Sequence, residues 1–414
     1  MQELLVLPRR RVWAGGMILV AGLILIGVYQ HIMADKSVPA GATNRADSLS
    51  APGSTSKPGL PPWGALQIVR IAIERPDEFI SLNHYDEQPN RWFFENYSAQ
   101  RLGEFLAHSG LTTKQLATVL DTNRWEVVSN GCYIHPDLEL VAQMGSPARQ
   151  KIYSVLAASP QNYFQFHAFT FRSDKLDEWF EYSGLATSTV ALVEKFLFRR
   201  GQAVCFADVP VVFSRLATTQ ERRLLLKTLS RHATVLVKLD LEPDSDIGAL
   251  VNYWGKGGRA KDVKPLLESL REIPNGTSID VVHLLPPFAR MRLYTYPFPT
   301  EDPVKLRHDC FWTAMNFFLE EPDDRFIDFG YTKKILQAEY YPIQDDPTYG
   351  DVLLFVDAAG VTIHAAVYIA GDILFTKNGA HFNQPWIFME LDDLLAAYPN
   401  EQPLKILAYR HRGI

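Results

Sequence analysis

The sequence predicts an α+β protein in three parts. These are an N-terminal transmembrane helix, a mainly helical middle domain, and a C-terminal domain in which a helix packs on an antiparallel sheet. Three observations carry this. An uncharged apolar run covers 12–29, apolar residues recur at helical spacing through much of 65–271, and three strand-like segments follow a helix opened by Asp309-Cys310.

Arg9, Arg10 and Arg11 precede the apolar run, and Gln30 and His31 close it. At about 1.5 Å per residue it reaches roughly 27 Å, close to the hydrocarbon thickness of a bilayer. The arginines place the N-terminus in the cytoplasm and the bulk of a single-pass membrane protein on the outer side, periplasmic or extracellular. A signal peptide cleaved near Ala34 is the rival reading, and the length of the run favours an uncleaved signal-anchor. The tip and anchor thus take 1–36. Ser, Pro, Gly, Ala and Thr dominate 37–62, which lacks the apolar surface to fold and is a flexible linker.

The middle domain, 63–300, is expected to be helical over 65–74, 99–109, 111–120, 146–158, 174–182, 187–198, 219–231 and 261–271. Thr112 or Thr113 can cap the third of these, and Pro147 takes the tolerated first position of the fourth. Strands are expected over 202–206, 233–239 and 279–285. Asn130-Gly131 is a hairpin signal joining 125–129 to 132–135. The aromatic cluster 92–94 reads as core, and nothing in this domain announces a function.

The 414 residues exceed one ordinary core. A net charge of −6 without a basic-aromatic stripe excludes a nucleic-acid partner. With three cysteines, only Cys132 and Cys205 are left to pair if Cys310 is free. Cys132-x-x-His135 is half a metal site without a second pair, and reads as hairpin decoration. No phosphate loop, zinc-helix motif or dinucleotide fingerprint occurs, so no metal or organic cofactor is implied.

Pro286-Pro287 and the proline-containing stretch 297–303 mark a boundary near 300, with an extended segment over 290–296. The C-terminal domain, 301–414, then reads as a helix over 311–319 followed by strands over 351–356, 361–370 and 373–376. Unpaired N–H groups and the helix dipole at a first turn favour a thiolate, which makes Cys310 a candidate nucleophile. His364, on the second strand, is the candidate base. A three-residue loop over 370–372 sets Ile369 opposite Ile373, Val367 opposite Phe375 and Asn378 opposite His364. Asn378 is then the first choice to orient the imidazole, and Thr376 the second. Tyr294 and Tyr296 reach the oxyanion position or simply pack. The plain alternatives are a buried core cysteine, a structural histidine and a turn asparagine at Asn378 before Gly379.

His308-Asp309-Cys310 opening a helix, Gly350-Asp351 starting a hydrophobic strand, and His364-Ala365-Ala366-Val367-Tyr368 starting the next together resemble the NlpC-type papain-like cysteine peptidase superfamily. The resemblance covers roughly 300–414. It implies a papain-like C-terminal fold and a thiol hydrolase that cleaves amide or peptide bonds, with cell-wall stem peptides of peptidoglycan as the substrate class. It also implies Cys310 as nucleophile, His364 as base, and Asn378 or Thr376 as the third polar residue. Two departures stand out. Phe311-Trp312 replaces the small Ser-Gly pair that usually follows the nucleophile, and no histidine occupies the third position. The alternatives are an acyltransferase using the same dyad, and a catalytically silent papain-like fold acting as a membrane-tethered binding module.

Overall fold

The computed structural model describes residues 61–414 except 202, 299, 399 and 401. No helix among the described residues is long and apolar enough to cross a membrane. The apolar run 12–29 lies outside them. The expected fold class is therefore corrected to α+β without a membrane-spanning helix among the described residues.

The middle region is α+β with more helical than strand residues, and a second correction concerns its first element. The expected helix at its start is instead the strand Ala65–Ile73 (β1). Ile68, Val69, Ile71 and Ile73 are β-branched and stiff at χ1, which favours a pleated backbone over a helix. Two small antiparallel sheets follow. One orders Trp92–Glu95 (β2) and Trp125–Val128 (β3) on either side of Gly131–Ile134 (β4), with the expected Asn130-Gly131 turn between the latter two. The other sets Phe169–Arg172 (β5) and Phe198–Arg200 (β6) on either side of Ala203–Phe206 (β7). Helices cap these sheets. Thr112 and Thr218 each close a reciprocal capping box, which fixes where their helices begin. Trp92, Phe94, Ile152, Phe206 and Leu225 share the core of this region.

His232–Leu241 (β8) pairs along all nine residues of β1 and, on its other side, with Thr277–Asp280 (β9). The expected strand over 279–285 is cut short because the Asp280 carboxylate accepts from the Val282 N–H at 2.9 Å and turns the chain into a 3₁₀ segment. The segment expected to be extended over 290–296 begins inside a helix, Pro287–Arg292, started by proline at its first position.

The last sheet has six strands: Tyr340–Pro342 (β10), Val352–Val356 (β11), Thr362–Ala370 (β12), Ile373–Lys377 (β13), Trp386–Glu390 (β14) and Lys405–His411 (β15). Their order is β10-β15-β11-β12-β13-β14, antiparallel throughout. β14 abuts β8, with the Thr234 hydroxyl donating to the Phe388 carbonyl at 2.7 Å. One hydrophobic core therefore runs across residue 300, joining Val237, Leu239 and Trp254 to Trp312, Val367 and Phe375. The opposite face of the six-stranded sheet holds a smaller core with Leu353, Phe355, Ala366, Leu374 and Leu394, covered by the helix Leu391–Ala397.

Candidate functional site

The helix carrying Cys310 is Cys310–Met315, shorter than the expected 311–319. Asp309 caps it, accepting from the Trp312 N–H at 3.0 Å. Asn316 ends it, because its side chain accepts from the Asp323 N–H at 2.6 Å and donates to the Trp312 carbonyl at 2.8 Å. Every residue of the helix is buried, Cys310 included. Trp312 lies flat under His308, ring centroids 3.7 Å apart, and both rings bond to the Asp324 carboxylate. Phe311 packs edge-on against Phe329. The two bulky residues after the cysteine thus anchor its helix.

His364 sits elsewhere. The register pairs it with Phe355, and residues paired across a ladder share a face. Phe355, Ala366 and Leu374 belong to the smaller core, whereas Cys310 belongs to the larger one together with Leu354, Ala365 and Phe375. The sheet stands between the cysteine helix and the imidazole. His364 is fully buried, its ring 4.4 Å from that of Tyr398 and its Nε2 2.8 Å from the Thr376 hydroxyl. Thr376, the second choice from sequence, is therefore its partner. Asn378 instead directs its amide nitrogen to the Met389 sulfur at 3.1 Å.

The expected three-residue loop is corrected as well. Val367 opposes Phe375 as anticipated, but Ala370 rather than Ile369 opposes Ile373, with a bulge absorbing the odd residue before a Gly371-Asp372 turn.

The polar side chain that shares the thiol's face is Lys377. It pairs across the ladder with Trp386, whose indole donates to the Thr313 hydroxyl at 3.0 Å in the cysteine helix. Lys377 is fully buried, and its ammonium donates to the carbonyls of Gly379 and His381. Burial pulls its pKa down to about 7, against the opposing pull of Asp309 and Cys310. A signal for it existed in the sequence. Period two from Phe375, on the apolar face, places Lys377 inward.

Cys132, Cys205 and Cys310 are buried and none is in a disulfide. Burial raises the Cys132 pKa and drives that of Cys205 to about 12. The thiol of Cys132 faces the Tyr97 carbonyl at 3.4 Å, while His135 is exposed, so this pair shares no site. Tyr294 donates to the Val235 carbonyl at 2.6 Å and serves packing.

A large cleft lies where the 61–233 region meets 378–398, and encloses about 1100 Å³. At its floor His232 contacts the Tyr296 hydroxyl through Nδ1 at 3.3 Å and the Gln384 carbonyl oxygen through Nε2 at 2.9 Å. Burial lowers the His232 pKa to about 4, against the Gln384 bond, so the imidazole is neutral at pH 7. It donates from Nε2 and accepts at Nδ1. Arg75 and Tyr398 also line this cleft, and Cys310 does not. Neither Arg75 nor His232 carries a motif that marks it in the sequence. Comparison with protein-family models, with curated proteins and with solved structures finds no match to this chain.

Proposed function

We propose that the chain is a ligand-binding protein that keeps a thiol-hydrolase-like C-terminal fold as a scaffold, its ligand entering the cleft between 61–233 and 378–398. One observation carries this reading. Cys310 and His364 occupy opposite faces of one sheet, and the large cleft reaches the segment after β13 rather than the thiol. A nucleophile needs its base within hydrogen-bond reach, directly or through one water, and an intervening sheet denies that. Pockets of several hundred cubic ångströms with a few convergent polar groups are the usual form of small-molecule sites.

A second reading is favoured by Lys377. A buried amine whose pKa burial lowers to about 7, electrostatically coupled to a cysteine at a helix start, can accept a proton in thiol acyl chemistry, hydrolytic or transferring.

The test is the rate of Cys310 alkylation between pH 6 and 9, read by peptide mapping, with Cys132 and Cys205 as internal references. Slow labelling with an ordinary thiol profile, unchanged in His364→Ala and Lys377→Met, is the expected result. Fast labelling near pH 7 that disappears in Lys377→Met moves the conclusion to the thiol enzyme. Fast labelling that depends on His364 restores the dyad expected from sequence and overturns the binding reading.

A further inference from the structure

Arg75 is 2% exposed and lines the large cleft. The guanidinium bonds the Tyr85 side chain, but its Nε and Nη2 have no hydrogen-bond partner, and no carboxylate among the described residues forms an ion pair with it. The adjacent carboxylate is already engaged: Glu74 bonds Arg231 at 2.6 Å and faces Lys227 at 3.4 Å. A buried cation without a counter-charge is costly, and folded proteins rarely keep one unless something else neutralises it.

The groups around Arg75 are neutral. Tyr85, Tyr163 and Tyr296 carry phenols whose pKa values burial raises, and each lies close enough to Arg75 for its charge to oppose that rise. His232, also within reach of the Arg75 charge, is neutral at pH 7. None supplies a negative charge. The wider lining carries six lysines and arginines against four carboxylates, in a chain whose formal charge is −6. Most of these cations are already matched, Arg70 by Glu390 and Asp393, Arg172 by Asp174 and Asp393, Lys175 by Glu178 and Arg231 by Glu74, which leaves Arg75 as the buried cation without a carboxylate.

We infer that Arg75 anchors an oxyanion, a carboxylate or a phosphate, borne by the ligand of this cleft. The inference rests on the ligand-binding reading above and names the chemistry of its ligand. The planar guanidinium presents two parallel N–H groups that match either oxyanion, a fit that a lysine ammonium lacks. Protonated phenols close to it are further donors for the same oxygens. Because Nε and Nη2 are covered, the anion reaches them by parting the side chains above.

The experiment uses the full chain, its Arg75→Met and Arg75→Lys variants, and two probes, inorganic phosphate and sodium acetate, at constant ionic strength. Thermal melting without added anion comes first. Arg75→Met is expected to melt at or above the parent, because it removes an unbalanced buried charge. A large drop assigns Arg75 a structural role and overturns the inference. Titration comes second. Phosphate or acetate is expected to raise the melting temperature of the parent, and both variants are expected to bind at least about tenfold more weakly. A response to phosphate alone identifies a phosphoryl ligand, and a response to acetate alone a carboxylate. No response in the parent, or equal responses in parent and variants, overturns the anchor. These results are separate from the alkylation of Cys310, whose rapid, base-dependent labelling would overturn the binding reading itself.

Discussion

His364 Nε2 lies 2.8 Å from the Thr376 hydroxyl, on the face of the six-stranded sheet turned away from Cys310. Both side chains are buried, and the Thr376 hydroxyl also approaches the Ala365 carbonyl, at 3.5 Å. The hydroxyl can donate to the ring nitrogen or receive its N–H, and either tautomer keeps the pair bonded. The imidazole is a polar element of the smaller core, its ring tilted against that of Tyr398.

Thr376→Val is isosteric in outline and removes only the hydroxyl. It leaves Nε2 buried without that partner, a loss of about 1–3 kcal/mol. The expected outcome is a lower urea midpoint with the Cys310 alkylation rate unchanged. A thiol rate that falls together with stability would show that the two faces communicate, contrary to the geometry.

Arg149, Tyr153 and Asp208 form the polar centre of the core in the 61–231 region. Arg149 Nε meets Asp208 Oδ2 at 2.6 Å, its two terminal nitrogens donate to the Met144 and Val141 carbonyls at 2.8 Å each, and the Tyr153 hydroxyl donates to the other Asp208 oxygen. All three side chains are buried. Asp208→Ala strands the guanidinium, and breaking a buried pair in this way costs about 3–5 kcal/mol. Denaturant unfolding of the variant checks this, and a loss below about 1 kcal/mol would mean that water reaches the pair.

Local signals were legible where the chain supplies its own punctuation. Asn130-Gly131 marked its hairpin, Thr112 its helix start, and the alternation in 361–370 its strand, because each depends on neighbours a few residues away. β1 was misread because its apolar spacing fits either period, and the decision falls to β8, more than 150 residues downstream. The site failed on face rather than on identity. Alternation placed His364 with Ala366 and Tyr368 correctly, but only the pairing with β11 and the seat of the Cys310–Met315 helix show that this is the wrong side. Arg75 was invisible, because a missing counter-charge is a property of the folded neighbourhood alone.

Gly350 adopts φ 90°, and a Cβ there would stand 2.3 Å from Phe318. Gly257, at φ 69°, meets the same ring from another side, also at 2.3 Å. Phe318 is thus gripped between two left-handed glycines. Gly350→Ala combines backbone strain of about 1–2 kcal/mol with overpacking of about 1–3 kcal/mol. A double-mutant cycle separates the two parts. In a Phe318→Ala background the overpacking part is expected to disappear and the backbone part to persist. An unchanged cost in that background would place the clash elsewhere.

Lys377 gives the protein a specific pH dependence. Its pKa is about 7 when folded, depressed first by burial, against an ordinary lysine value of 10.5 when unfolded. Between these values the unfolded chain holds a proton that the folded chain lacks, so stability rises with pH across that window. Below about 7 the ammonium is charged in both states and its burial penalty is fully present. Each pH unit inside the window contributes up to about 1.4 kcal/mol. Asp309 and Cys310 face the amine from the neighbouring helix start, and thiol ionisation there would pull the lysine pKa upward and narrow the window. Lys377→Met removes the titrating amine while keeping the aliphatic stem. The difference in unfolding free energy, parent minus variant, is therefore expected to grow from pH 7 to pH 10 and to be flat below pH 6. Urea melts of both proteins at matched ionic strength measure it. Parallel curves throughout that range would show that the amine reaches solvent and titrates as an ordinary lysine.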